Sequence, residues 1–101
     1  MVAATIRWSA EAATDIQAIH DFIARDSERY ARAICAEIVE AVDQLTRFPY
    51  SGRIVPELSR DDFRELVVGS YRIVYRLRGT ALVEIVTVFH GARLLRLEST
   101  Q

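Results

Sequence analysis

The stretch YRIVYRLRGTALVEIVTVFHGAR, Tyr71 to Arg93, decides how the chain folds. Two runs rich in β-branched and aromatic residues, Tyr71 to Arg78 and Ala81 to His90, flank Gly79-Thr80. That is the pattern of a β-hairpin. Side chains of a strand alternate between faces, so Arg72, Arg76 and Arg78 share one face while Tyr71, Ile73, Tyr75 and Leu77 share the other. A face with that many guanidinium groups needs an anionic partner, in the chain or in another molecule.

Upstream, Phe63 to Val68 has the same period of two and is joined by Gly69-Ser70, so three antiparallel strands are expected. A two-residue turn at Gly69-Ser70 places Leu66 opposite Ile73 and Glu65 opposite Val74. A three-residue loop, Arg78-Gly79-Thr80, would place Ile73 opposite Ile85 and Glu84 opposite Val74; a two-residue turn there would move Glu84 to the other face. In the first register Leu66, Val68, Val83, Ile85 and Phe89 join the core face. Arg72 and Arg76 share a solvated face with Glu65 and Glu84, which flank them diagonally. Such exposed pairs contribute only ~0–1 kcal/mol each and mainly fix register. Arg72 lies nearest the end where His90 and Gly91 arrive, so Arg72, His90 and Arg93 form the candidate site.

The N-terminal half has a different period. Thr5-Ile6-Arg7-Trp8 is a short strand, and Ser9 caps a helix in which Ala12, Ile16, Ile19 and Ile23 recur on one face. After a break at Arg25, Asp26 or Ser27 caps a second helix, with Ala31, Ile34, Ile38, Ala41 or Val42, and Leu45 on its apolar face, stopped by Phe48-Pro49. The short connection implies an antiparallel helical hairpin. Tyr50 to Asp62 reads as irregular, with turns at Ser51-Gly52-Arg53 and Pro56-Glu57. The expected fold is α+β: one domain over residues 1–101, an N-terminal helical hairpin packed on a small antiparallel sheet of three to four strands.

Composition narrows the function. Residues 1–46 carry four Arg against eight Asp/Glu, and residues 47–101 carry nine Arg against six Asp/Glu, with no lysine anywhere. The net charge of −1 argues against a non-specific nucleic-acid binder. No apolar run approaches the ~20 residues of a membrane span, and the first residues lack a signal-peptide pattern, so a cytoplasmic protein with no membrane contact is expected. One cysteine, Cys35, and two histidines cannot make a structural zinc site; no metal and no cofactor is expected. His20, beside Asp21, reads as a surface residue. Leu94, Leu95 and Leu97 either dock on the domain or enter a partner interface.

A set of motifs spread along nearly the whole chain resembles one superfamily. It comprises Trp8-Ser9, Asp15-Ile16, Phe22-Ile23, Leu45, Phe48-Pro49, Gly52-Arg53, Pro56-Glu57, Arg64-Glu65-Leu66, Tyr71-Arg72-Ile73-Val74-Tyr75 and His90-Gly91-Ala92-Arg93. Together they are similar to the ParE/RelE toxins of type II toxin–antitoxin systems. The resemblance implies a growth-inhibiting toxin neutralised by a cognate antitoxin, of the ParD type and of ribbon-helix-helix fold, that wraps it and carries the complex to operator DNA.

It also implies one of two actions. ParE-like members poison DNA gyrase without hydrolysis; RelE-like members are metal-independent endoribonucleases that cut messenger RNA on the ribosome. Metal-free RNA cleavage needs a base, an acid and cations for the phosphorane. Under the nuclease reading the catalytic residues would be Arg72, His90 and Arg93. However, the lysines and the late tyrosine of many nuclease members have no counterpart, and Gly91 falls where a catalytic arginine would be expected. The longer helical hairpin and the FPxxGR turn also look ParE-like, so the resemblance favours gyrase. Under either reading Arg72, Arg76, His90, Arg93, Leu94 and Leu95 are the residues expected to meet the target or the antitoxin.

Overall fold

Serines start both helices. In the computed structural model, which describes residues 3–91, Ser9 Oγ accepts the Ala12 N–H at 3.0 Å and opens α1 (Ala10–Ala24), with Glu11 in its first turn. Ser27 does the same for α2 (Glu28–Asp43) through the Tyr30 N–H. Each cap satisfies a donor that has no partner inside its helix. α2 continues through a 3₁₀ turn, Gln44–Thr46. His20 is not only a surface residue: it spans the hairpin, its Nε2 lying 3.0 Å from Glu28 on α2 and its Nδ1 3.3 Å from Asp21. These carboxylates, Asp21 first, raise its pKa.

The sheet has five strands, in the order β1 (Thr5–Trp8), β5 (Leu82–His90), β4 (Tyr71–Arg78), β3 (Phe63–Val68), β2 (Arg53–Ile54). β1 runs parallel to β5, and the other neighbours are antiparallel. The expectation of three to four antiparallel strands is therefore corrected to five in a mixed sheet. β1 pairs with β5, the last strand, while the helical hairpin carries the chain from β1 to β2 at the opposite edge of the sheet. β2, inside the segment read as irregular, has two residues and so too few to show a period. On one side of the sheet Ile73, Tyr75, Val83, Ile85 and Val88 pack against Ile34, Ile38, Val42 and Leu45. No helix among the described residues is long and apolar enough to cross a membrane.

The first hairpin has the expected register, Leu66 opposite Ile73 and Glu65 opposite Val74. The second differs in two ways. Its loop is Gly79-Thr80-Ala81, closed by Arg78 opposite Leu82, so Arg76 rather than Val74 faces Glu84 and Tyr75 rather than Ile73 faces Ile85. A shift by two leaves every side chain on its face, and Glu84 stays with the arginines. The ladder then slips by one between Val74 and Tyr75, a β-bulge around Val86 that brings Ile73 opposite Val88 and Arg72 opposite Phe89. One inserted residue exchanges the faces beyond it. Val88 enters the helix-side core, and Phe89, expected there, lies instead with Val55, Phe63 and Val74 on the opposite face.

α1 holds that bulge. Ser9 Oγ donates to the Val86 carbonyl at 2.8 Å. Asp15 accepts from Thr87 Oγ1 at 2.6 Å and from the Val88 N–H at 3.0 Å. Asp15→Ala leaves that amide and hydroxyl without their carboxylate, and is expected to lower stability by about 1–3 kcal/mol. Urea denaturation measures the loss; an unchanged midpoint would show that the bulge does not depend on Asp15.

Candidate functional site

The arginine face is not a solvated ladder. Residues 55–62 fold across part of it, and Val55, Phe63, Val74 and Phe89 form a second small core flanked by Leu58 and Val86. Beside this core two charged groups are nearly enclosed: Glu65 is 1% exposed and Arg72 9%. Burial at this level requires close pairing.

Arg72 is paired on every side. Its Nε donates to Glu65 Oε1 at 2.7 Å, and Nη2 lies 2.6 Å from the same carboxylate. Nη1 and Nη2 each donate to Glu57 at 2.7 Å in a fork. The guanidinium lies 5.2 Å from the Phe89 ring centroid, within cation–π range. Hydrogen bonds to Glu57, then to Glu65, outweigh partial desolvation and hold Arg72 firmly charged. Arg53 makes a second pair with Glu65 through Nε. The group Arg53, Arg72, Glu57 and Glu65 is thus neutral in sum.

Arg76 pairs elsewhere than expected. Arg76 donates to Asp62 at 3.1 Å rather than to Glu65 or Glu84, and Asp62 also takes a two-pronged contact from Arg60. Partial burial works against ionisation of Asp62, but the bonds from Arg60 and Arg76 prevail and keep its pKa below the usual carboxylate value. Phe63 lies between these two guanidiniums, 5.0 Å from Arg60 and 5.1 Å from Arg76. Glu84 pairs with Arg78 at 2.9 Å and with Arg7 at 3.6 Å.

Arg72 and His90 do come together. Tyr71 is registered with His90 and meets its ring edge-on at 5.7 Å. A shallow depression of about 330 Å³ lies between Arg53, Val67, Ser70, Arg72, His90 and Gly91. The Gly91 N–H donates to the Ser70 carbonyl at 2.7 Å, drawing the end of β5 against the β3–β4 turn. Arg93, Leu94 and Leu95 lie outside the described residues. Among the described residues no group of three His, Cys, Asp or Glu side chains is placed to hold a metal ion.

The FPxxGR turn positions this site. Tyr75 Oη, buried in the helix-side core, donates to the Pro49 carbonyl at 2.8 Å and accepts the Gly52 N–H at 2.9 Å. That pins the turn where β2 begins, so that Arg53 is registered with Glu65. Burial raises the phenol's pKa, with the Gly52 amide acting in the opposite sense.

The description "ParE toxin of type II toxin-antitoxin system, parDE" belongs to a family profile that matches residues 6–95. The chain belongs to the ParE toxin family. It is also 33% identical over 91 residues to Toxin RelE2 of Caulobacter vibrioides, a match covering 90% of this chain and 99% of that one. Two solved structures share the fold. One is a chromosomal ParDE system from P. aeruginosa, at TM-score 0.71 and 22% identity, covering 86% of this chain and 95% of its own. The other is the RelBE2 toxin–antitoxin complex of Mycobacterium tuberculosis, at 0.60 and 24%, covering 88% and 99%.

In this member of the ParE family the motif residues have traceable work. Ser9 and Asp15 hold the bulge, Tyr75 and Gly52 hold the turn, and Glu57 and Glu65 hold Arg72. The sequence reading missed Glu57 and Asp62 as partners of the strand arginines, and Arg53 as a partner of Glu65. The available signal was acidic residues in a segment without periodicity, facing a strand with more cations than its neighbours could neutralise.

Proposed function

We propose that this ParE-family toxin acts by binding rather than by hydrolysis, that its target is DNA gyrase, and that a cognate ParD-like ribbon-helix-helix antitoxin neutralises it in the cytoplasm. Operator DNA is then met only through the antitoxin. The observation that carries this reading is the state of Arg72. Under the nuclease reading that guanidinium would stabilise charge on a scissile phosphate. Here its donors point at Glu57 and Glu65, and a phosphate approaching it would meet two carboxylates.

A second reading, ribosome-dependent messenger cleavage, has its own support in the 33% identity to a protein named Toxin RelE2 and in the nearness of Arg72 to His90. The two separate cleanly in vitro. Purified toxin is expected to inhibit supercoiling by gyrase and to leave translated messages intact. Unaffected supercoiling at large molar excess rejects the gyrase reading, and codon-dependent cuts in translated messages establish the nuclease.

A further inference from the structure

Among the described residues, the surplus positive charge of the sheet lies at the end away from His90. Arg7 on β1, Glu84 on β5, Arg76 on β4 and Phe63 on β3 are registered partners, so they form one row across four strands. Arg78 stands two residues along β4 from Arg76, and Arg60 joins the row through Asp62. At the His90 end, among the described residues, Arg53 and Arg72 meet Glu57 and Glu65. Along this row four arginines share two, Asp62 and Glu84. Counting the exposed Asp61 as well, guanidiniums still outnumber carboxylates by one. Their side chains are 59% exposed for Arg7, 46% for Arg78 and 41% for Arg60, so the excess faces solvent.

We propose that this row is a docking surface for a segment of a separate polypeptide whose carboxylates are spaced by uncharged polar residues. The proposal does not depend on whether gyrase or the ribosome is the target. The spacing argument is geometric. Arg7 and Arg76 are two strands apart, about 9.6 Å at ~4.8 Å per strand, with Glu84 between them. A peptide in the polyproline II conformation, with three residues per turn and a rise of about 3.1 Å, carries an acidic residue at every third position on one side at about 9.3 Å spacing, and leaves only uncharged polar residues between them at Glu84. Planar guanidinium forks match carboxylates well. A nucleic-acid backbone, charged at every unit, would set phosphates against Glu84 and Asp62. The row also offers no aromatic platform for bases, since Phe63 is 1% exposed beneath its two arginines.

The test uses the full chain and a fluorescent dodecapeptide of repeating Glu-Ser-Ser, read by anisotropy at low salt. The peptide is expected to bind, and Arg7→Glu with Arg78→Glu is expected to weaken it about tenfold or more. Arg32→Glu, an exposed charge on α2, should leave it unchanged, and thermal melts confirm that the variants fold. Absence of binding, equal binding by the double variant, or tighter binding of a single-stranded oligodeoxynucleotide of equal charge would each overturn the proposal. So would self-association in sedimentation that the double variant abolishes, because the row would then be taken by a second copy.

Discussion

Arg72→Ala is expected to cost about 3–5 kcal/mol of folding stability. The loss arises less from the missing pair than from what remains: Glu65, with a side chain 0% exposed, would keep only Arg53, which is itself largely in water. Chemical denaturation measures it, and a loss below about 1 kcal/mol would show that water or Arg53 can satisfy Glu65 unaided. Replacing both Arg72 and Glu65 by methionine is expected to recover most of the loss, because no fully buried ion is then left unpaired, and Glu57 and Arg53, which each lose a partner, reach water. This bears on function: an Arg72→Ala toxin that fails to arrest growth would show only that the fold needs the residue. Activity must be normalised to folded protein before Arg72 is given any role at a target.

Gly52→Ala is expected to cost about 2–3 kcal/mol by overpacking. A Cβ there would stand 2.6 Å from the Glu65 carbonyl oxygen and 2.6 Å from Tyr75 Oη. One of these is backbone of a paired strand and the other is fixed by its bond to Pro49, so neither can yield cheaply. Tyr75→Phe removes one obstacle but leaves the Gly52 N–H and the Pro49 carbonyl without their partner, at about 1–3 kcal/mol. The double variant is expected to cost less than the sum, since both changes act on the same contact. Urea titrations of the three variants check this; strict additivity would place the strain of Gly52→Ala elsewhere.

The depth to which the sequence could be read varied with the range of the interactions. The helices, the Ser9 cap, the Phe63–Val68 and Tyr71–Arg78 strands and the register between them follow from local periods and short turns, and all were legible; the second cap was narrowed to Asp26 or Ser27, and it is Ser27. The pairing of Arg78 with Glu84 was legible in the same way, because the two are joined by one tight loop. The partners of Arg72 and Arg76 were only half legible. Glu65 sits on the neighbouring strand, but Glu57 and Asp62 come from a segment whose path no periodicity describes.

What the residues determined by themselves was the inventory: a helical hairpin, a β-hairpin with arginines on one face, and the motifs of a toxin family. The tertiary structure decided where the charge is neutralised and where it is left over. The deciding element is one extra residue near Val86, which exchanges the faces beyond it and brings Phe89 against Arg72. Nothing local specifies it. It is held by Ser9 and Asp15, 77 and 72 positions away from their partners Val86 and Thr87, and a strand's period of two carries no trace of a contact made at that separation.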